Sequence, residues 1–123
     1  MEKENIVLSK TYQFALRIVK IYQHLSKKKQ EFVLSKQILR SGTSIGANVA
    51  EAHGGISEAD FSNKISIAYK EALETKYWIR LLFDAGYIEK NAFDSIHSDC
   101  DEVCKILYSI LKKTRISKKG QPK

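Results

Sequence analysis

His97, Cys100 and Cys104 fall at i, i+3 and i+7, a spacing that places all three near one face of a helix. Thiolate and imidazole groups so placed could hold zinc or iron. The same spacing fits a helix that buries its cysteines as small hydrophobes. No second cluster offers a convergent fourth ligand, so neither a metal nor another cofactor is expected. Glu71 and Glu74, with Tyr69 and Tyr77 beside them, suggest buried acid–base chemistry. A di-metal carboxylate bundle would need Glu-x-x-His pairs on two helices. None of His24, His53 and His97 has a glutamate three positions before it. Each glutamate is therefore expected to pair with an arginine or to lie on the surface. The chain has no Walker loop and no dinucleotide fingerprint, and Ala52-His53-Gly54-Gly55 reads as a helix terminus. An enzyme is not expected.

Two further sets of residues carry polar chemistry. Arg40, Ser44 and Asn48 recur at i, i+4 and i+8, with Ser41 and Glu51 beside them. That stripe could bind a ligand, or it could be a network between helices or subunits that fixes their register; the structural reading is favoured. Arg17, Lys20, Lys27, Lys28, Lys29 and Lys36, with Lys112, Lys113 and Arg115 near the far end, are of the type that neutralises phosphates. Their plain alternative is a solvated basic surface.

Helices must position these groups. The one proline is Pro122, so residues 1–121 lack the residue that costs a helix interior about 3 kcal/mol. Apolar residues at steps of three and four predict four helices. The first, over residues 8–27, carries one stripe of Leu8, Tyr12, Ala15, Val19 and Tyr22 and another of Phe14, Ile18, Ile21 and Leu25. Two apolar faces exceed what one bundle needs, so the second is expected to meet another subunit. The second helix, over 31–53, carries Gly42, Gly46 and Ala50 at four-residue spacing, a smooth face for close packing, and Gly54-Gly55 stops it. Ser57 should cap the third helix, over 58–84, whose stripe runs from Phe61 to Leu82. The fourth spans 89–115 with Phe93, Ile96, Cys100, Val103, Leu107 and Ile110. Connections this short predict an all-α, antiparallel up-down-up-down four-helix bundle over residues 1–116. Residues 117–123 read as a basic disordered tail.

The net charge is +7 in 123 residues, and it is unevenly distributed. Residues 1–40 hold nine Lys/Arg against three acids, residues 41–111 six against eleven, and residues 112–123 six against none. Such a field attracts polyanions. No apolar run is long enough to span a membrane. The charged start, Met1-Glu2-Lys3-Glu4-Asn5, lacks a signal-peptide core, which with two cysteines predicts a cytoplasmic protein with reduced thiols. In an up-down bundle Lys27–Lys29 and the C-terminal cations lie at opposite ends, so two basic patches are expected.

The run Leu39 to Ala52 closely resembles the signature of the bacterial four-helix-bundle family named for the 23S rRNA intervening-sequence protein. That signature is Arg-Ser, two variable residues, Ser-Ile, two more, then Asn-Ile-Ala-Glu-Gly. Arg40, Ser41, Ser44, Ile45, Asn48, Ala50 and Glu51 match it, while Val49 replaces isoleucine and Ala52 replaces glycine. An arginine usual soon after is missing at Gly54-Gly55-Ile56. Phe61 through Leu82, with Ala68-Tyr69-Lys70-Glu71-Ala72-Leu73-Glu74-Thr75 at its centre, is similar to the family's third helix. The resemblance implies a ring-like, pentameric homo-oligomer. It also implies kinship with accessory proteins of diversity-generating retroelements, which bind nucleic acid and a reverse transcriptase through a basic pentamer surface.

The expectation is a non-enzymatic homopentamer that binds nucleic acid, structured RNA such as rRNA, through its basic residues. The alternative is an adaptor for a protein partner such as a reverse transcriptase or ribosomal component.

Overall fold

The computed structural model describes the backbone of residues 2–119 and the side chains of residues 6–114. Four α-helices follow one another: α1 (Glu2–Lys27), α2 (Leu34–His53), α3 (Glu58–Asp84) and α4 (Lys90–Lys119). Among the described residues there is no strand. Each helix packs against its neighbours in the chain, and α1 closes the bundle more loosely on α4.

Every packed pair runs antiparallel. Gly42 and Gly46 of α2 meet Ile18 and Thr11 of α1 in reverse order. Ser41 and Glu51 meet Thr75 and Lys64 of α3. Tyr69 and Lys76 of α3 meet Tyr108 and Asp101 of α4. Lys10 and Arg17 of α1 meet Glu102 and Asp99 of α4. The core between them is aliphatic: Ile18, Leu25, Ile38, Ile45, Ile65, Ile79, Leu82, Ile96 and Leu107 are fully buried. Burying each such side chain is worth about 1.5–3 kcal/mol, which is why the apolar stripes dictate the association.

The ends of the helices follow from their local chemistry. Ser57 caps α3 as its position predicts, accepting from the Asp60 N–H at 3.1 Å. Gly86 stops α3 with φ +89°, a left-handed conformation that glycine adopts without steric cost, and the Tyr87 N–H donates back to the Leu82 carbonyl at 2.9 Å.

The start of α2 departs from expectation, falling at Leu34 rather than residue 31. The cause is Gln30, which takes φ +51° and breaks the helical path after α1. Glu31 then serves the incoming helix as its cap: one carboxylate oxygen accepts the Ser35 N–H at 2.7 Å and the other the Val33 N–H at 3.3 Å. The Ser35 hydroxyl donates to the Glu31 carbonyl at 2.7 Å. Burial pulls the Glu31 carboxyl upward. The N–H groups of Ser35, Leu34 and Val33, with the Ser35 hydroxyl, outweigh it and hold the carboxyl below its ordinary range.

Three more differences concern faces and ends. The stripe of Phe14, Ile18 and Leu25 enters the core, joined by Val7 and Thr11, whereas Tyr12 remains 62% exposed. Ala50 is exposed and takes no part in the close contact that Gly42 and Gly46 make with α1. Helix α4 continues to Lys119, so residues 117–119, read from sequence as tail, are helical. Residues 120–123 lie outside the described residues.

Candidate nucleic-acid interface

Most cations on the flanks of the bundle are already engaged with acids. Lys10 pairs with Glu102, Lys64 with Glu51, Lys76 with Asp101, Arg80 with Asp84, Lys90 with Asp94 and Lys105 with Asp101. The hydrogen bond from Lys76 to Asp101 raises the ammonium pKa and lowers that of the carboxyl. Arg17, read from sequence as a phosphate contact, is also engaged. Its guanidinium pairs with Asp99 and donates to the Ser95 hydroxyl at 2.9 Å. The partner stands 82 positions further along the chain, beyond any local pattern.

The remaining predicted contacts are free of acids. Among the described residues no ion pair involves Lys20, Lys27, Lys28, Lys29, Lys36, Lys112 or Lys113, and all seven are exposed. Five of them gather at one end of the bundle, at the close of α1, in the link to α2 and in the first turn of α2. There the exposed ring of Phe32 lies in the same link. Lys112 and Lys113 belong to the other end, about 33 Å away along α4 at 1.5 Å per residue. The side chain of Arg115 lies outside those described. The cations thus form two groups rather than one continuous surface.

The signature stripe lies between α2 and α3. Arg40 bridges to both Glu71 and Glu74 on α3, at 3.2 Å for Glu71. The Trp78 indole N–H donates to Glu74 at 2.9 Å. The hydroxyls of Ser41 and Thr75, both fully buried, stand 2.8 Å apart. Thr75 Oγ1 also lies 2.8 Å from the Glu71 carbonyl. Ser44 donates to the Ser41 carbonyl at 3.0 Å, Asn48 to the Ser44 carbonyl at 2.9 Å, and Glu51 pairs with Lys64 at 3.0 Å. Ile45 is fully buried. Every polar member of the stripe thus has a partner within the chain, and three of them join α2 to α3.

The sequence reading expects no Gly-x-Ser-x-Gly elbow, and this is corrected by the chain itself: Gly42-Thr43-Ser44-Ile45-Gly46 has that spacing. That elbow requires a sharp strand-to-helix turn exposing the serine. Here the run lies in the interior of α2, where both glycines serve packing on α1.

Cys100 and Cys104 are both buried, and the Cys100 thiol donates to the Ala72 carbonyl at 3.5 Å. The hydrogen bond with Cys104, and then burial, push the Cys100 thiol well above the usual range, which keeps it protonated and unreactive. The ring of His97 lies 5.1 Å from that of Phe93. Among the described residues no group of three or more His, Cys, Asp or Glu could hold a metal ion. Nor is any described helix long and apolar enough to cross a membrane.

Fold and charge together define a four-helix bundle in which, among the described residues, Lys20, Lys27, Lys28, Lys29 and Lys36 share one end without an ion pair, while Lys70, Lys112 and Lys113, also without one, lie elsewhere. The chain belongs to the family of 23S rRNA-intervening sequence proteins, which it matches over residues 3–109. It is also similar to a protein with unknown function from the S23 ribosomal protein family of Bacteroides thetaiotaomicron, known from a crystal structure. The two are 53% identical, with a TM-score of 0.88, over 89% of this chain and 98% of that one. No curated protein matches the chain.

Proposed function

We propose that this protein is a non-enzymatic, cytoplasmic, homo-oligomeric bundle that binds nucleic acid, structured RNA such as rRNA, through phosphate contacts. One observation carries the reading: among the described residues Lys20, Lys27, Lys28, Lys29 and Lys36 lie together without acidic partners, while most cations on the flanks are paired. A cluster of unpaired cations costs self-repulsion, which a polyanion relieves. The family's name, tied to 23S rRNA, agrees with an RNA partner.

A pentameric ring suits the remaining surface. Closed rings join two different faces of each protomer. Tyr12 and Leu16 on α1 and Leu73, Tyr77 and Tyr108 on α3 and α4 offer two exposed apolar areas. Five copies of a chain with net charge +7 would total +35, so that weak contacts act together. The deciding experiment is binding of a labelled rRNA hairpin across a salt series. The reading expects affinity to fall steeply with log salt; no binding at low salt would overturn it. The same exposed aromatics favour a second reading, an adaptor for a protein such as a reverse transcriptase or ribosomal component. A complex that survives nuclease treatment would select it.

A further inference from the structure

A cavity of about 520 Å³ opens between the last turns of α1 and the link from α3 to α4. It falls within the roughly 300–1,000 Å³ of small-molecule sites. Its walls differ in chemistry. Ile21, Tyr87 and Ile88 back onto the core and turn apolar surface into the cavity. Lys20 and His24, on the same turns of α1 as Ile21, and Lys29 in the link that follows also line it, and none of the three has an ion-pair partner among the described residues. Arg17 also lines it but is engaged by Asp99, and Glu89 is the one carboxylate in the lining. The smaller cavity further along the same seam, about 190 Å³, is flanked by Lys10 and Glu102, which pair with one another. Only the larger one joins an aromatic, apolar wall to uncommitted cations.

A ligand matching both walls has a flat, weakly polar ring and an anion a few ångströms away. A phosphate rail alone would leave Ile21, Tyr87 and Ile88 unused, and a purely apolar ligand would leave the lysines unused. We propose that this cavity takes one unstacked nucleotide of a single-stranded or looped segment, its base against Tyr87, Ile21 and Ile88 and its phosphate on Lys20 and Lys29. The proposal rests on the nucleic-acid reading above and narrows it. Bases in a regular duplex are stacked and paired, and entering such a cavity requires them to leave the stack. Loops and single strands offer their bases freely.

The test compares a labelled oligouridylate with a blunt RNA duplex of equal length, by fluorescence anisotropy at one low salt concentration. Wild type is set beside Tyr87→Leu, which removes the ring, and Ala92→Leu, which fills the cavity from an exposed wall position. Both variants are expected to bind the single strand roughly ten-fold more weakly, the size of a lost base–aromatic stack, and to bind the duplex as wild type does. Equal losses on both RNAs, or no loss with Ala92→Leu, would overturn the proposal. Because Ala92 is exposed, that variant answers even if Tyr87→Leu loses stability. A wild-type hairpin that keeps its salt dependence while the cavity variants show no selective loss would retain the nucleic-acid reading and reject the cavity. Wild type that binds no RNA would reject both.

Discussion

Gly42 lies so close to Ile18 that a methyl group added to it would stand 2.7 Å from both γ carbons of the isoleucine. These atoms belong to the stem of a fully buried side chain, not to a free end, so they cannot swing aside. Gly42→Ala gains up to about 1 kcal/mol of helix propensity. Overpacking costs about 1–3 kcal/mol and outweighs it. The variant should therefore be less stable in urea unfolding, and Ile18→Ala, which removes both γ carbons, should cost less beside Gly42→Ala than it does alone. A variant as stable as wild type would show that α1 and α2 can separate without cost.

The buried pair of Ser41 and Thr75 makes an asymmetric prediction. Ser41→Ala leaves the Thr75 hydroxyl with the Glu71 carbonyl and should cost about 1 kcal/mol. Thr75→Val strands the Ser41 hydroxyl in the core and should cost about 1–3 kcal/mol. The double variant should cost less than the two together, because the stranded hydroxyl is gone. Strict additivity in a thermal-unfolding cycle would mean that the two hydroxyls do not interact.

Glu31 predicts a pH dependence with a definite sign. Its carboxyl is held below the ordinary value in the folded chain, so its contribution is complete above the unfolded carboxylate pKa of about 4.3. That contribution is lost as pH falls through the lower, folded value. Glu31→Gln should be less stable than wild type at neutral pH by about 1 kcal/mol, the usual worth of a helix cap. The gap should narrow on acidification. A gap that widened in acid would contradict the capping geometry.

Neutralising Lys27, Lys28 and Lys29 together should weaken RNA binding and flatten the salt dependence. For every phosphate that the variant no longer neutralises, the slope falls by about 0.9 on duplex and 0.7 on single strands. Circular dichroism should be unchanged, since all three side chains are exposed. An unaltered slope would remove these lysines from the interface. Lys112→Ala with Lys113→Ala, at the far end, reports whether the second basic group takes part.

The helices were legible because their signals are local. The span 58–84 follows from the cap at Ser57, the stripe through Ile65, Ala72 and Ile79 and the glycine at 86, and the structure has the same bounds. The closes of α1 at Lys27 and α2 at His53 were equally plain. The start of α2 was not, because a side chain, Glu31, does the work of the first turn while Gln30 bends the backbone. Of the site, the lysine run and the signature stripe could be found as residue types, but their commitments could not. Arg17 with Asp99, and Arg40 with Glu71 and Glu74, join separate helices, so only the fold distinguishes an engaged arginine from a free lysine. The cavity had no sequence signal, because Lys20, Lys29 and Tyr87 meet there from separate segments.

The looser closure of α1 on α4 has a mechanical consequence. This seam is the least closely packed of the four, and Lys10 with Glu102 and Arg17 with Asp99 bridge it on its surface. Exposed bridges of that kind contribute little and weaken with added salt. The molecule therefore has a preferred line of breathing, and both cavities lie along it. Parting along this seam would widen the larger cavity and leave the α2–α3 clamp shut. The entrance for a ligand and the least costly deformation of the fold are the same seam.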